Sequence, residues 1–250
     1  MGYGCGLSSR RGAGPLHAQF KAASKPVPRS PCESTSPKRR WRGGRAWSNA
    51  LVLKTGICGP PLRRACGGSV STRVDLLLIH WPVERVPLRK QLDTLVELQR
   101  EGRARHVGVS NFLPGQIDHV VEHLPDDALL FAHQAEYHPF LDQSPLLERA
   151  RTHDHTFTAY SPLARGRVVG HETLEEIGAR HGTSAAQVAL RWLLQQETVS
   201  AIPKAASAER RAANAYVFDF ELNAEEMEAI SSLRGNKRIL DPDFAPDWSD

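Results

Sequence analysis

The feature that most constrains the fold is the stretch Val74–Ile79, which is followed directly by His80, Trp81 and Pro82. Its four consecutive apolar residues, 76–79, are typical of a strand buried on both faces, as strands are in a parallel sheet. Pro82 cannot donate a backbone hydrogen bond, so the strand ends there. Side chains at the carboxyl ends of parallel strands commonly line a ligand site. His80 and Trp81 are therefore candidates for a functional role, and the alternative is that they only pack a loop.

An alternation of short apolar strands and amphipathic helices continues to the end of the chain. Four more strands are predicted, at residues 106–109, 129–135, 156–159 and 199–202. Apolar spacing and capping residues predict helices at 88–101, 114–123, 172–180, 185–196, 207–214 and 223–233, and a further helix capped by Ser144. Strands that alternate with helices in this way are typical of β–α units in a parallel sheet.

Every predicted strand is followed by side chains that can bind or react. They are His80; Ser110 and Asn111; Gln134; Tyr160 and Ser161; and Lys204. Because the carboxyl ends of parallel strands meet at one edge, these groups would share one face, and five in succession favour a functional face over chance. Five strands are too few to close an eight-stranded barrel. We therefore predict an α/β fold, a (β/α)8 barrel whose first three β–α units are missing or degenerate.

The composition divides the chain into two parts, residues 1–73 and residues 74–250. The first part carries 14 Lys and Arg residues with a single acid, Glu33, whereas the second carries 18 basic and 27 acidic residues. The first part is also rich in Gly, Pro, Ser and Arg, a composition that cannot bury enough apolar surface to offset chain entropy. We expect residues 1–73 to be a basic segment of low order and residues 74–250 to be the barrel part.

Four interpretations of residues 1–73 compete. An Arg- and Ser-rich segment resembles an organelle transit peptide, although its Pro and Gly would break the required helix. A basic arm that contains Trp41 and Trp47 could bind nucleic acid, although such runs are more often solvated tails. The cysteines could bind zinc or pair, but their spacing fits no metal motif, and no metal site is predicted: Cys5, Cys32, Cys58 and Cys66. The interpretation we favour is a wrong start or an out-of-frame translation.

Five segments in the second part resemble the signatures of the aldo-keto reductase family, in that family's order. They are residues 76–82, 108–112, 133–139, 159–163 and 202–204. Residues 241–246 are similar to the tail of prokaryotic members that reduce small keto-sugars and α-ketoaldehydes. The resemblance covers about residues 73–250. It implies a TIM barrel that binds NADP(H) across the carboxyl ends of its strands without a Gly-x-Gly-x-x-Gly loop, and the sequence has no such loop.

The resemblance assigns the nicotinamide half of the cofactor to three strand ends. Ser110, Asn111 and Gln134 offer the hydroxyl and amide groups that would grip the nicotinamide carboxamide. Tyr160 would stack on the nicotinamide ring and leave its other face open for hydride transfer, and Ser161 belongs to the same site. The alternative for Tyr160 is an ordinary aromatic core residue.

The adenosine half is assigned to the last predicted strand end and the helix that follows it. Lys204, Ser207 and Arg210 surround a helix N-terminus, which favours anions. They would hold the adenosine 2′-phosphate, with Asn214 near the adenine, and the cofactor would then be NADPH rather than NADH. The alternative for Arg210 is a solvated helix face.

The resemblance also predicts the chemistry, and it fails at one point. His80 would orient the carbonyl of a small-molecule substrate, and Trp81 would wall its pocket. Lys54 resembles the family's catalytic lysine but lies too close to His80 in sequence. The family's proton donor is a tyrosine in Asp-x-x-x-x-Tyr-Gly, and Tyr3 is the tyrosine of the only Tyr-Gly here, without the aspartate. General acid catalysis contributes about 10²–10⁴ in rate.

These observations predict an NADPH-dependent reductase of aldehydes or ketones that is impaired in this chain by loss of the tyrosine and aspartate. The alternative is a non-catalytic NADP-binding remnant or a truncated pseudogene product. We expect a cytoplasmic monomer, and we do not expect it to bind nucleic acid. Membrane insertion is also not expected, since no apolar run approaches the length of a bilayer span.

Overall fold

The computed structural model describes residues 50–53, 73–82 and 84–248. Within these residues there are six strands, and from the second strand onward at least one helix separates each strand from the next. The strands are β1 Ala50–Leu53, β2 Val74–Ile79, β3 Ala104–Ser110, β4 Leu130–Glu136, β5 Thr156–Tyr160 and β6 Val199–Ala201. The helices are α1 Leu88–Arg100, α2 Pro114–His123, α3 Ser144–Thr152, α4 Glu172–His181, α5 Ala185–Gln195, α6 Ala208–Ala215 and α7 Ala224–Ser231. Single 3-10 turns lie at Ala164–Gly166 and Tyr216–Phe218.

The six strands form one parallel sheet in their sequence order, β1 to β6. The predicted parallel arrangement is confirmed, as is the prediction of a partial barrel. The first strand, β1, is an addition to the five predicted strands. Within the part of the chain that the structure describes, β1 and β6 each pair with one neighbour and not with each other, so the sheet is an open arc.

The two faces of the sheet bury different side chains. On the face toward the helices, Leu77, Val109 and Phe157 are buried in the main apolar core. On the opposite face, Leu76, Leu78 and Ala132 form a smaller cluster. Alternation along each strand thus turns every second residue toward the interior of the barrel arc.

Helix starts follow the sequence signals at three of four predicted caps. The side chains of Ser184, Ser207 and Asn223 each accept a hydrogen bond from a backbone amide in the first turn. The prediction for Ser144 is wrong, since it is the first residue of α3. The side chain of Asp142 caps the start of this helix instead, because its Oδ1 accepts hydrogen bonds from the Ser144 backbone amide (3.1 Å) and hydroxyl (2.6 Å). None of the helices in the described residues has the length and apolar character needed to cross a membrane.

Candidate functional site

The sheet register brings the predicted nicotinamide residues to one edge. Ser110 at the end of β3 pairs in register with Gln134 of β4, and Glu136 pairs with Tyr160 of β5. Ser110 and Gln134 are buried, whereas the Tyr160 side chain is half-buried. Sequence spacing alone could not fix this register, but the parallel strands place the hydroxyl, the amide and the ring at adjacent strand ends.

Asn111 joins these strand ends through its side chain and backbone. Its Nδ2 donates to the backbone oxygen of His80 (2.9 Å) and to Ser110 Oγ (3.1 Å), and its Oδ1 accepts from the Tyr160 hydroxyl (2.8 Å). Its backbone amide donates to the Gln134 carbonyl (2.9 Å). The residue is buried and adopts φ of 62°, a left-handed conformation that Asn tolerates better than most residues. We call Ser110, Asn111, Gln134 and Tyr160 the strand-end network.

The network leaves some of its polar atoms available. The Asn111 side-chain amide already donates to the His80 carbonyl and to Ser110 Oγ, so this side chain holds its neighbours in position. The Gln134 amide, by contrast, makes no hydrogen bond to any residue the structure describes, and Ser110 uses only its oxygen, as an acceptor. Ser110 and Gln134 therefore keep side-chain groups available for a ligand at this edge.

Tyr160 stays a neutral hydrogen-bond donor. Burial raises the pKa of its hydroxyl above the ordinary value, and the nearby Glu136 carboxylate raises it further. The following residue, Ser161, has φ of 49° and accepts from the Ala164 amide (2.8 Å), which turns the chain sharply away from the strand. The ring is thus held at the end of β5 by its hydroxyl on one side and by a tight turn on the other.

Glu136, at the end of β4, forms hydrogen bonds with the segment that follows the last helix, residues 232–248, which we call the C-terminal tail. Sequence reasoning missed this role. The Glu136 carboxylate is buried and accepts from the amides of Ile239 (2.8 Å) and Leu240 (2.9 Å) and from His138 Nε2 (3.0 Å). Burial raises the pKa of Glu136, but these hydrogen bonds together lower it below its ordinary value. The only signal for this contact was that Glu136 stands within the motif at 133–139.

His80 and Trp81 lie beside this tail. The Trp81 ring is 6% exposed and packs edge-to-face against Phe244 (5.4 Å between centroids) and Trp248 (6.2 Å). Arg238 stacks its guanidinium 3.6 Å above the centre of the Trp248 ring. The half-buried His80 ring stands 6.0 Å from Trp81. The tail therefore covers much of Trp81, and the wall of any pocket here is shared between Trp81 and the tail aromatics.

The predicted phosphate residues have a different character. Lys204, Ser207 and Arg210 are exposed, Asn214 is half-buried, and α6 contributes no buried residue. The Ser207 hydroxyl accepts from the Arg210 amide (3.2 Å), which is the helix cap, and no other hydrogen bond joins these four residues within the described chain. We call Lys204, Ser207, Arg210 and Asn214 the α6 cluster.

Lys54 lies outside the described residues, as does Tyr3. The residue before Lys54, Leu53, ends β1 and pairs in register with Ile79. The assignment of Lys54 as the catalytic lysine stays a prediction.

Comparisons with known proteins agree on one family. A family model described as the aldo/keto reductase family matches residues 69–234. An aldo-keto reductase of Mycobacterium avium (strain 104) is 38% identical over 168 residues, which are 67% of this chain and 58% of the relative. The glyoxal reductase of Bacillus subtilis (strain 168) is 39% identical over 170 residues, which are 66% of this chain and 59% of the relative.

Solved structures agree with this placement. A crystal structure assigned to a 2,5-diketo-D-gluconic acid reductase B superposes with a TM-score of 0.73 at 39% identity, over 76% of this chain and 68% of that one. The chain spans less than two thirds of the length of the curated relatives it matches, since 58% and 59% of the two named above are covered.

Proposed function

The chain belongs to the aldo/keto reductase family. We propose that its strand-end site serves the NADPH-dependent reduction of an aldehyde or ketone carbonyl. The observation that carries the proposal is the strand-end network, which gathers a hydroxyl, an amide and an aromatic ring from three successive strands around Asn111. A site for a planar, amide-bearing ring needs this combination of groups.

The residues present fit the nicotinamide group. The Ser110 hydroxyl and the Gln134 amide supply the donor and acceptor that a carboxamide requires, and the half-buried Tyr160 ring offers a flat face beside them. When bound, the cofactor supplies the hydride. The network orients the ring and excludes water from one of its faces, while Asn111 acts as a positioning residue.

The α6 cluster supports NADPH as the preferred cofactor. Lys204 and Arg210 are exposed cations on either side of the Ser207 cap, and α6 is an eight-residue helix whose first turn can accept an anion. A 2′-phosphate would gain from both cations, whereas NADH has no group to place there.

The substrate would be a small carbonyl compound held near His80. The His80 ring can donate a hydrogen bond to a carbonyl oxygen, and the apolar wall of Trp81 and Phe244 limits the size of the adjoining group. The related Bacillus protein is a glyoxal reductase, so small dicarbonyl compounds are the first substrates to test. The cytoplasmic location and the monomeric state stay predictions.

A second candidate function, cofactor binding without turnover, is favoured by the tyrosines. The hydroxyl of Tyr137 donates to Gln196 Oε1 (2.8 Å) and that of Tyr160 donates to Asn111, and burial raises the pKa of both. Neither is suited to protonate an alkoxide. The third tyrosine in the described part, Tyr216, is exposed on a 3-10 turn. We therefore expect slow or no reduction by this 250-residue chain.

The two candidates are separated by measuring binding and turnover on the same sample. NADPH is titrated against tryptophan fluorescence, and NADPH consumption is then followed with methylglyoxal. We expect saturable binding that Gln134→Leu weakens, with little consumption. Steady consumption that Lys54→Met abolishes would support the first candidate, reduction, and overturn the second, binding without turnover. An absence of saturable binding in a cooperatively folded sample would overturn both candidates.

A further inference from the structure

Helix α2 carries a group of metal-binding side chains that the strand-end site does not use. We propose that His119, Glu122 and His123 form a surface site for Zn²⁺. Each of the three offers one ligand atom, and these atoms all lie within 4.8 Å of one another. The spacing of three and four residues puts them on one face of the helix, as neighbours across a single turn.

Hydrogen bonding prepares one of the two imidazoles as a ligand. His123 Nδ1 lies 2.8 Å from the backbone oxygen of His119. A carbonyl oxygen can only accept, so Nδ1 carries the proton and Nε2 keeps its lone pair. Metal-bound histidines are usually oriented in this way, with the second ring nitrogen donating to a carbonyl or carboxylate.

Charge also favours a cation at this position. Glu122 Oε2 lies 3.6 Å from His119 Nδ1, and this is the only ion pair that Glu122 makes within the described chain. The nearby guanidinium of Arg149 is engaged by Asp118 (3.1 Å) and Glu148 (3.7 Å). No arginine or lysine in the described residues therefore neutralises Glu122, and its carboxylate is available to a metal ion.

The donor set selects the metal. Two imidazoles and one carboxylate suit a borderline ion such as Zn²⁺, which binds three protein ligands and completes a tetrahedron with water. A hard ion such as Mg²⁺ would prefer oxygen ligands throughout. Because an ion that binds the folded form stabilises it, Zn²⁺ should raise the melting temperature of the chain.

The site is separate from the strand-end network. Helix α2 begins at Pro114, three residues after Asn111, and leads away from the carboxyl edge of the sheet toward the start of β4. His119 and His123 are in the second half of this helix. Occupation of the site should leave the network and cofactor binding unchanged, so the test does not depend on the proposed function.

The test is calorimetric titration of the full chain with Zn²⁺ alone, after removal of metal and alkylation of the cysteines. We expect one tight equivalent that the double variant His119→Ala/His123→Ala loses. Glu122→Gln should weaken binding by about 10-fold or more, the range seen even for groups that only support a metal ligand. The control His171→Gln removes an imidazole elsewhere and should retain the equivalent.

A melting experiment guards against misfolding of the variants. Zn²⁺ should raise the melting temperature of the unmodified sequence and of His171→Gln, but not that of the double variant, whose melting must remain cooperative. An unchanged Zn²⁺ stoichiometry and affinity in the cooperatively melting double variant would overturn the proposal. So would equal loss of the tight equivalent in His171→Gln.

Discussion

The strand-end network and the α6 cluster are both assigned to one cofactor, yet the protein builds them differently. Three of the four network residues are buried, and Asn111 makes four hydrogen bonds, three of them to other members of the network. The α6 cluster stands on a helix without a buried residue, and its members are joined only by the Ser207 cap. The first is preorganised by the fold, whereas the second consists mostly of exposed side chains, two of them cationic, that would take up their binding geometry when an anion arrives.

This contrast has a physical reason. A carboxamide is neutral and planar, so its recognition depends on hydrogen-bond geometry, and geometry requires rigid support. A phosphate is doubly charged, so long flexible cations can reach it from several directions. Changes in the network should therefore affect folding, and changes in the α6 cluster should affect ligand binding.

The largest expected effect concerns two histidines behind the network, on the side of β4 and β5 that faces the helices. His133 and His155 are buried, and neither has a hydrogen-bond partner for its ring nitrogens in the described chain. Burial lowers the pKa of His133 to about 3 and that of His155 to about 4. Between those values and the ordinary 6.5, the unfolded chain binds more protons than the folded one, so the free energy of unfolding falls as pH falls.

Each unit of pKa displacement corresponds to about 1.4 kcal/mol, and two such groups together should cost several kcal/mol on acidification toward pH 4. The free energy of unfolding can be measured by urea denaturation at steps between pH 7 and pH 5. In this range the pH dependence reports mainly on histidines, because carboxylates titrate at lower pH. His133→Phe/His155→Phe should flatten this dependence, whereas the exposed-site control His119→Gln should keep it. A slope that survives in the double variant would assign the acid sensitivity elsewhere.

The second prediction breaks the network at its centre. Asn111→Ala removes three side-chain hydrogen bonds and leaves a residue at φ of 62° that alanine adopts poorly. We expect a loss of about 3 kcal/mol in the free energy of unfolding, given the cost of unpaired buried groups. Denaturant titration measures it. Asn214→Ala in the α6 cluster is the matched control and should lie within about 0.5 kcal/mol of the unmodified chain.

Asn111→Gly separates two contributions to that loss. Glycine accepts the left-handed conformation, so this variant loses the hydrogen bonds but not the backbone geometry. If it is as stable as the unmodified chain, backbone strain and not the network accounts for the role of Asn111.

The sequence predicted the strands with apolar runs and polar ends, and it predicted which residues meet at the sheet edge. Leu76–Ile79 needed only local composition to be assigned to a strand, and Ser184 and Asn223 needed only the capping pattern. The barrel class was predictable for the same reason, since repeated β–α units leave few arrangements open. Ser144 failed because Asp142, two residues earlier, competes for the same backbone amide.

Long-range contacts could not be predicted in this way. The partners of Asn111 are separated from it by 31 and 49 residues, and those of Glu136 in the tail by 103 and 104. No local pattern encodes such pairings, so the sequence could not show that the Asn111 side chain also joins its neighbours; its contact with the cofactor stays a prediction. The covering of Trp81 by Phe244 was hidden for the same reason.

The third prediction tests whether the network acts as a unit. Tyr160→Phe removes one hydroxyl and leaves Asn111 Oδ1 without its donor, so we expect a loss of about 1–2 kcal/mol. In a double-mutant cycle with Asn111→Ala the two losses should not add, since both remove the same bond. Tyr137→Phe is the matched control, because it also deletes a buried hydroxyl bond, and it should add fully to Asn111→Ala. Strict additivity for Tyr160→Phe would mean that the bond contributes nothing to stability.

The smallest effect on folding should come from the α6 cluster, where the contrast with the strand-end network is greatest. Arg210 is exposed and its side chain makes no hydrogen bond within the described chain, so Arg210→Ala should change the free energy of unfolding by less than about 0.5 kcal/mol. Loss of a charged hydrogen bond to a 2′-phosphate should nevertheless weaken NADPH binding by roughly 10-fold and leave NADH binding unchanged. The control is Arg211→Ala on the same helix, whose guanidinium donates to the Ala206 carbonyl (2.7 Å) and is already engaged. Fluorescence titration of both variants with NADPH and with NADH measures these affinities. An equal loss for NADH and NADPH would place Arg210 near a group that the two cofactors share, and the α6 cluster would then no longer explain a preference for NADPH.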